Sequence, residues 1–223
     1  MNVLEYIKQK YNLDWKEGQQ IVEIPNTNRE TFATLLSEMN MNLGVEMGVE
    51  RGLYSEVLAK ANPNLHLYSV DAWMAYEGYR DHVTQNEVNE IYIDARRRLA
   101  PYHVSLVRDY SMDAVKKFDN DSLDFVYIDG NHEYQQTVND IAEWQKKVKV
   151  GGIVAGHDYI LRRGGQYLMH VPYAVEGYVK SYQIAPLFIL GRKESVPGEL
   201  RDSSRSWFYV KPEPLSVVPH KSA

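Results

Sequence analysis

The chain has 223 residues, 44% of them hydrophobic and 25% charged, which excludes a wholly disordered protein and fits one compact domain. Its net charge is −5 and its longest basic run is residues 96–98, so no nucleic-acid partner is expected. The absence of cysteine excludes disulfides and thiolate ligands. No apolar run approaches the roughly 18 residues of a membrane span. The first residues lack the features of a signal peptide, so we expect no membrane partner and a cytoplasmic protein.

Short β-like runs that alternate with helical segments indicate a parallel sheet covered by helices on both faces. Residues 1–40 are expected to form a helical cap and lead-in, with helices over 3–11 and 29–39. The predicted strands are 42–47, 65–70, 104–107, 124–128, 153–155, 187–190 and 206–210, and the predicted helices among them are 53–60, 88–99, 112–118, 134–147 and 173–182. We therefore predict a doubly wound, Rossmann-like α/β domain over 41–212, with seven mostly parallel strands and the last one antiparallel. The last two strands can pair at a sheet edge, and residues 213–223 form a tail.

A glycine-containing turn, residues 46–52 (EMGVERG), follows the first predicted strand. Gly48 can adopt a positive φ, and Gly52 allows the next helix to pack closely. The turn lacks the middle glycine of the dinucleotide motif G-x-G-x-x-G, which disfavours a nucleotide-dependent oxidoreductase. Glu46 and Glu50 would repel a phosphate, so an acidic strand end suits a cationic ligand. The alternative is an ordinary tight turn with solvated glutamates.

Asp71 ends the second predicted strand, about twenty residues after the glycines. Folds of this kind offer a carboxylate to ribose hydroxyls at that position. The alternative is a turn or helix-cap aspartate. Taken with the glycine turn, Asp71 indicates a nucleoside that bears a positively charged amino-acid tail.

These motifs combine with four further segments: 68–73 (YSVDAW), 108–111 (RDYS), 124–132 (DFVYIDGNH) and 151–159 (GGIVAGHDY). Over about residues 40–190 the combination resembles the class I S-adenosylmethionine-dependent methyltransferases. Within them it is similar to the macrocin O-methyltransferases and, more distantly, to catechol-type enzymes. The resemblance implies that Glu46 and Gly48 face the methionine end, that Asp71 takes the ribose, and that residues 109–111 lie near adenine. The implied cofactor-binding residues are Glu46, Gly48, Gly52, Asp71, Ala72, Trp73, Asp109, Tyr110, Ser111 and Asp129.

Two aspartates, Asp129 and Asp158, end neighbouring strands that lie about 4.8 Å apart, within reach of one cation. A divalent ion such as Mg²⁺ lowers the pKa of a hydroxyl that it binds. We predict a metal held by Asp129, Asp158 and His157, with His132 as base or third ligand and with Asp129 and His132 as the catalytic residues. Catechol-type relatives have a carboxylate or amide as third ligand, from which the His157-Asp158 pair partly departs. Alternatively, Asp129 contacts cofactor or substrate without metal, Asp158 caps the next segment, and a histidine acts as base alone.

Aromatic residues follow the strand that ends at Asp71, and residues 73–81 can form a lid with Gly78 as a hinge. The alternative is a loop that packs its rings on the helices. Arg162, Arg163 and Tyr167 follow strand five and can face the same cavity. The predicted acceptor-binding residues are Trp73, Tyr76, Tyr79, His132 and Tyr159.

The sequence therefore predicts transfer of a methyl group from S-adenosylmethionine to an oxygen of a small molecule, such as a sugar or natural-product hydroxyl. Rival predictions are an N-methyltransferase, a metal-independent O-methyltransferase with His132 as base, and a cofactor-binding module without turnover. The oligomeric state is left open, with a homo-oligomer as one option.

Overall fold

The computed structural model describes residues 2–16, 18–75, 84–161 and 169–213. Its strands are β1 (Ile21–Ile24), β2 (Leu43–Met47), β3 (His66–Asp71), β4 (Val104–Arg108), β5 (Leu123–Ile128), β6 (Val148–Gly156), β7 (Leu187–Leu190) and β8 (Trp207–Val210). Its helices are α1 (Val3–Lys10), α2 (Arg29–Glu38), α3 (Leu53–Ala61), α4 (Gln85–Leu99), α5 (Ser111–Ala114), α6 (Tyr134–Trp144) and α7 (Val171–Ser181), with a 3₁₀ turn at Val115–Lys117. Outside the described residues lie Tyr76, Gly78, Tyr79, Arg162, Arg163, Tyr167 and residues 214–223 of the predicted tail.

All eight strands form one sheet in the order β1-β7-β8-β6-β5-β2-β3-β4. Neighbours are parallel except at β8, which runs antiparallel to both β6 and β7. The predicted doubly wound architecture is confirmed, with one strand more than the seven expected. The additional strand, β1, comes from the lead-in segment and pairs parallel with β7. Because β1 lies outside β7, the β7–β8 pair is not the sheet edge that the sequence suggested.

The helices cover both faces of the sheet, and the central strand β5 shows why. Its side chains alternate: Phe125 and Tyr127 are buried in the core under α2 and α3, whereas Val126 and Ile128 are buried in the core under α6 and α7. A strand buried on both faces needs such a continuous apolar run. A third, smaller core lies between α4 and the segment after β3.

Parallel pairing brings the carboxyl ends of several strands to one edge. Met47 of β2 pairs with Val70 of β3 and with Ile128 of β5, and Ile128 pairs in turn with Gly156 of β6. The residues that follow these strands therefore form a row, which is where open α/β sheets bind ligands. Among the described residues, no helix has both the length and the apolar character needed to cross a membrane.

Candidate active site

The turn after β2 is in direct contact with the loop after β5. Gly48 has a φ of +85°, and its N–H donates to the carbonyl of Val70 at 3.0 Å. A Cβ atom at Gly48 would lie 2.0 Å from the carbonyl oxygen of Asp129, so only glycine fits. Gly52 also has a positive φ and lies against Leu99 of α4, whereas the sequence predicted close packing of the helix that follows it, α3.

Asp71 organises this turn. Its Oδ2 accepts hydrogen bonds from the N–H groups of Val49 (3.0 Å) and Glu50 (2.9 Å), and its Oδ1 accepts one from Trp73 N–H (2.9 Å). Glu50 and Trp73 both have left-handed backbones, with φ of 50° and 40°, which these bonds hold in place. Asp71 therefore has the role of a turn aspartate, the alternative that the sequence left open. A carboxylate oxygen accepts more than one hydrogen bond, so Oδ1 retains capacity for a ribose hydroxyl.

Glu46 does not present a charge to the edge of the sheet, contrary to the expectation from the sequence. Its side chain is 1% exposed and hydrogen-bonded to the hydroxyl of Ser55, which lies 3.0 Å from that of Ser69. Burial raises the pKa of Glu46 to about 8, so the carboxyl group is largely neutral at pH 7. The negative charge at this edge therefore comes from the aspartates.

Trp73 is a core residue rather than an open surface for an acceptor, because its side chain is 2% exposed. The indole N–H donates to the carbonyl of Glu50 at 2.9 Å, and the ring packs edge-on against Tyr92 at 4.9 Å. The predicted use of this ring as a lid surface is therefore wrong for the described conformation. Ala72, the preceding residue, is half-buried.

The three residues predicted to lie near adenine have different surroundings. Asp109 is paired with Lys117 at 2.9 Å, and this hydrogen bond lowers the pKa of the carboxyl group. Tyr110 is 44% exposed and offers a ring at the open edge. Ser111 instead points inward, where it donates to Asp140 at 2.5 Å and accepts from Trp144 Nε1 at 2.9 Å. Only Tyr110 thus has an exposed ring to offer a base.

Two aspartates and two histidines meet after β5 and β6. Nε2 of His132 lies 2.7 Å from Oδ2 of Asp158 and 4.0 Å from Oδ1 of Asp129. Nδ1 of His157 lies 3.6 Å from Oδ1 of each aspartate. The structure thus brings together the four residues for which the sequence predicted metal binding or catalysis. Asp158 has a φ of 54°, a left-handed backbone that is uncommon for a residue other than glycine.

The electrostatics of this cluster are dominated by pairing. Burial favours the neutral form of each histidine, but the two carboxylates outweigh it and raise the pKa of His132 and of His157 to about 9. Burial likewise favours the neutral aspartates, and the histidines outweigh it and lower the pKa of Asp129 and of Asp158. At neutral pH two imidazolium groups therefore balance two carboxylates.

The cluster leaves polar atoms unsatisfied. Nε2 of His132 and Nε2 of His157 are buried without a hydrogen-bond partner among the described residues. Nε2 of His132 nevertheless makes a close ion-pair contact with Oδ2 of Asp158 at 2.7 Å. Buried polar groups are normally paired, so both nitrogens are candidates for contact with a ligand.

Asp129, His132 and Asp158 each offer one ligand atom, and these atoms lie within 4.8 Å of one another. Two carboxylate oxygens and one imidazole nitrogen suit a divalent ion. His132, predicted from the sequence as base or third ligand, completes this group, and His157, also predicted as a ligand, lies 3.6 Å from both aspartates.

Three neighbours of the cluster were not identified from the sequence. Arg29 of α2 places Nη1 3.6 Å from Oδ2 of Asp129. The N–H of His170 donates to the carbonyl of His132 at 2.9 Å, which joins the start of α7 to the site. Glu176 accepts a hydrogen bond from the hydroxyl of Tyr159 at 2.5 Å. Tyr159, which the sequence predicted to bind the methyl acceptor, is therefore already paired, and it is half-buried. No motif marks any of these three, since each reaches the site only through the fold.

Two surface cavities lie away from this edge. One, of about 300 Å³, is lined by Glu56, Asp94, Arg97 and Arg98, and the other, of about 390 Å³, by Met112, Val115, Lys116, Asn139, Ala142 and Glu143. The clustered, unsatisfied side chains mark the candidate site better than these concave surfaces do.

A family model described as a methyltransferase domain matches residues 45–159, slightly more than half of the chain. The chain belongs to this family. The matched segment of this methyltransferase runs from the middle of β2 to Tyr159 and so contains the carboxyl ends of β2, β3, β5 and β6. No curated protein sequence matches the chain.

Solved methyltransferase structures are similar to the chain over most of its length. A Staphylococcus aureus protein assigned as a caffeoyl-CoA O-methyltransferase is 13% identical, with 93% of this chain and 90% of that one covered and a TM-score of 0.58. A Bacillus cereus O-methyltransferase in complex with S-adenosylhomocysteine is 13% identical, with coverage of 94% and 89% and a TM-score of 0.58. A Geobacter metallireducens precorrin-6y C5,15-methyltransferase is 12% identical, with coverage of 82% and 87% and a TM-score of 0.56. Such identities establish the fold, and the different names show that the fold does not select the acceptor.

Proposed function

We propose that this methyltransferase transfers a methyl group from S-adenosylmethionine to an oxygen of a small molecule, with a divalent ion held by Asp129, His132 and Asp158. The observation that carries the proposal is the group of three ligand atoms within 4.8 Å of one another, after β5 and β6. The family supports methyl transfer, and the O-methyltransferase neighbours support oxygen as the acceptor atom. The net charge of −5 favours a small acceptor over a nucleic acid.

The cofactor assignment is supported by the edge formed by β2 and β3. S-adenosylhomocysteine is bound in the Bacillus cereus relative, which shares this fold. Here the absence of a side chain at Gly48 lets the backbone of Asp129, a residue of the proposed metal site, lie directly against the turn after β2. Asp71 keeps acceptor capacity at Oδ1, and Tyr110 offers an exposed ring. We therefore place ribose at Asp71 and the base near Tyr110.

The donor set after β5 and β6 fits a divalent ion, because the buried Nε2 of His132 lacks a hydrogen-bond partner and lies beside two carboxylates. When bound there, such an ion supplies Lewis acidity that lowers the pKa of an acceptor hydroxyl. Binding requires a neutral imidazole, so His132 must release the proton that its carboxylate neighbours hold at pH 7.

Positioning is the second contribution of the chain. The contact of Gly48 with the carbonyl of Asp129 brings the cofactor turn and the acceptor site together. Donor and acceptor held about 3 Å apart and in line gain several kcal/mol over free encounter. His170 and Tyr159 lie on the acceptor side, where they connect the loops after β5 and β6 to α7 and to Glu176.

The metal-free alternative with His132 as base has one observation in its favour, the 2.7 Å approach to Asp158. The same contact with Asp158 also argues against His132 as the base. Burial lowers the pKa of His132, but the two carboxylates outweigh it and raise the value to about 9, which makes His132 a poorer base at neutral pH.

Calorimetric titrations separate these proposals. We expect S-adenosylhomocysteine to bind the parent, and Mn²⁺ to bind with release of about one proton, measured in two buffers of different ionisation enthalpy. Asp158→Asn should weaken Mn²⁺ binding about 10- to 100-fold, whereas the exposed control Asp113→Asn should not change it. Failure of the parent to bind S-adenosylhomocysteine would refute the cofactor assignment. Failure to bind Mn²⁺ would refute the metal site alone.

Turnover identifies the acceptor atom. Release of S-adenosylhomocysteine should be measured with matched hydroxylated and amine-bearing small molecules, before and after treatment with a chelator. We expect turnover with hydroxyl acceptors, its loss with chelator and its recovery with Mg²⁺ or Mn²⁺. Turnover with amines only would favour an N-methyltransferase, and tight cofactor binding without any turnover would favour a binding module.

A further inference from the structure

Arg29 is held at the candidate site by its main chain. It is the first residue of α2, and its N–H donates to Oδ2 of Asp202 at 2.9 Å. Its carbonyl accepts a hydrogen bond from the hydroxyl of Tyr54 at 3.1 Å, and its guanidinium lies over the ring of Tyr54 at 5.2 Å. The backbone and the stem of the side chain are therefore fixed before any ligand binds.

The guanidinium group itself is underused. Nη1 lies 3.6 Å from Oδ2 of Asp129 and Nε lies 3.9 Å from Oδ2 of Asp202, distances of ion pairs rather than hydrogen bonds. Within the part of the chain that the structure describes, its N–H groups donate no hydrogen bond. An arginine has five such donors in a planar fork that matches a carboxylate. With 35% of its side chain exposed, Arg29 can reach a ligand.

The two carboxylate oxygens of Asp129 lie near different groups. Oδ1 is the atom near His132 (4.0 Å) and His157 (3.6 Å), on the side of the proposed metal and acceptor. Oδ2 is the atom near Arg29, and the carbonyl of Asp129 covers Gly48 of the cofactor turn. Arg29 therefore contacts a different oxygen of Asp129 from the histidines, and the backbone of the same aspartate lies against the proposed cofactor turn.

We propose that Arg29 binds the α-carboxylate of the cofactor's methionine part, an inference that rests on the proposed function. That end of the cofactor carries an ammonium and a carboxylate, and the surrounding edge holds Asp71, Asp129 and Asp158. The carboxylate needs a cation, and Arg29 is a cation that neither the proposed metal nor the ribose engages. Other described arginines near this edge are engaged. Arg108 donates to Trp73 and Asn89, and Arg205 donates to Glu23.

The test compares two ligands that differ in one group: S-adenosylhomocysteine and its decarboxylated analogue, which retains the amine. Calorimetry of the parent and of Arg29→Met gives four dissociation constants. We expect Arg29→Met to weaken the binding of S-adenosylhomocysteine roughly 10- to 100-fold, as for the loss of a charge-assisted bidentate contact. The affinity for the decarboxylated analogue should change less than about twofold. Arg29→Lys keeps the charge but not the planar fork, so its affinity for S-adenosylhomocysteine should lie between those of the parent and of Arg29→Met.

The control variant is Arg97→Met, which removes an exposed arginine of α4 that is paired only at 3.7 Å with Asp94. It should leave both ligands unchanged, and thermal unfolding should show that all variants fold. Equal losses for the two ligands in Arg29→Met, or no loss for either, would overturn the inference while leaving the proposed function intact. If the parent binds neither ligand, the proposed function fails first and the inference with it.

Discussion

The turn after β2 and the loops after β5 and β6 lie at the same edge of the sheet, but they treat their polar groups in opposite ways. In the turn, Asp71 accepts three backbone N–H groups and the indole of Trp73 is buried and bonded. In the loops, two buried imidazole nitrogens, of His132 and His157, have no hydrogen-bond partner among the described residues. One region is complete without a ligand, whereas the other is not.

The difference separates scaffold from chemistry. A turn that satisfies its own groups holds its shape when empty, which reduces the entropy lost when a cofactor binds. Unsatisfied polar atoms cost free energy in the folded chain and are retained where a ligand repays that cost. We therefore expect substitutions in the loops to reduce catalysis more than stability, and substitutions in the turn to reduce stability.

The largest expected effect is that of Asp129→Asn on turnover. Loss of one carboxylate ligand should reduce methyl transfer roughly 100- to 1,000-fold. The dissociation constant of S-adenosylhomocysteine should rise less than about fivefold. Turnover and calorimetry measure the two quantities, with Asp113→Asn as the exposed control. Equal losses in turnover and in affinity would contradict the separate roles of the two regions.

Gly48→Ala should be the most destabilising change in the turn. The new methyl group would lie 2.0 Å from a carbonyl oxygen, at a φ of +85°. We expect a loss of about 4 kcal/mol in the free energy of unfolding, from backbone strain and overpacking together. Urea denaturation measures it. Gly198→Ala is a matched control, since Gly198 has a φ of +86° with no atom within 4 Å of the added Cβ. It should cost about 1 kcal/mol, and similar losses in both variants would show that the contact with Asp129 contributes nothing.

Asp71→Ala tests whether this aspartate organises the turn or only binds ribose. Removal of the carboxylate leaves the N–H groups of Val49, Glu50 and Trp73 without an acceptor, so we expect a loss of about 3 kcal/mol without ligand. Asp71→Asn, which keeps one acceptor oxygen, should lose less. If Asp71→Ala unfolds at the same urea concentration as the parent but binds S-adenosylhomocysteine poorly, the residue serves the ligand and not the turn.

The sequence was sufficient for the architecture because strands and helices depend on local patterns. The helix over 88–99, for example, was predicted from its pattern, although the capping box of Thr84 and Glu87 begins α4 three residues earlier, at Gln85. It was not sufficient for β1, a four-residue strand whose partner β7 lies more than 160 residues away in the chain. Only tertiary pairing defines such a short strand.

In the candidate site, too, the features set by local sequence could be predicted and those set by tertiary packing could not. Asp129, His132 and Asp158 could be predicted because each follows a recognisable strand and parallel pairing then sets their proximity. The burial of Trp73 and the position of Arg29 could not, since each depends on packing between segments distant in the sequence. A tryptophan next to a predicted loop is equally compatible with a lid and with a core.

The smallest expected effect concerns Asp140, a buried carboxyl group of α6 that no motif marked. Burial raises its pKa to about 6, although the hydrogen bond from Ser111 opposes the shift. The folded chain therefore retains a proton that the unfolded chain releases near pH 4, and this group's contribution to stability falls as the pH rises from about 4 to 6. The whole shift corresponds to roughly 3 kcal/mol, of which about 2 kcal/mol is lost between pH 4 and 6. Asp140→Asn keeps an acceptor for Ser111 and removes the titration, so the gap between the unfolding free energies of variant and parent should change by that amount across this interval. A constant gap would mean that the pKa of Asp140 is the same in the folded and the unfolded chain.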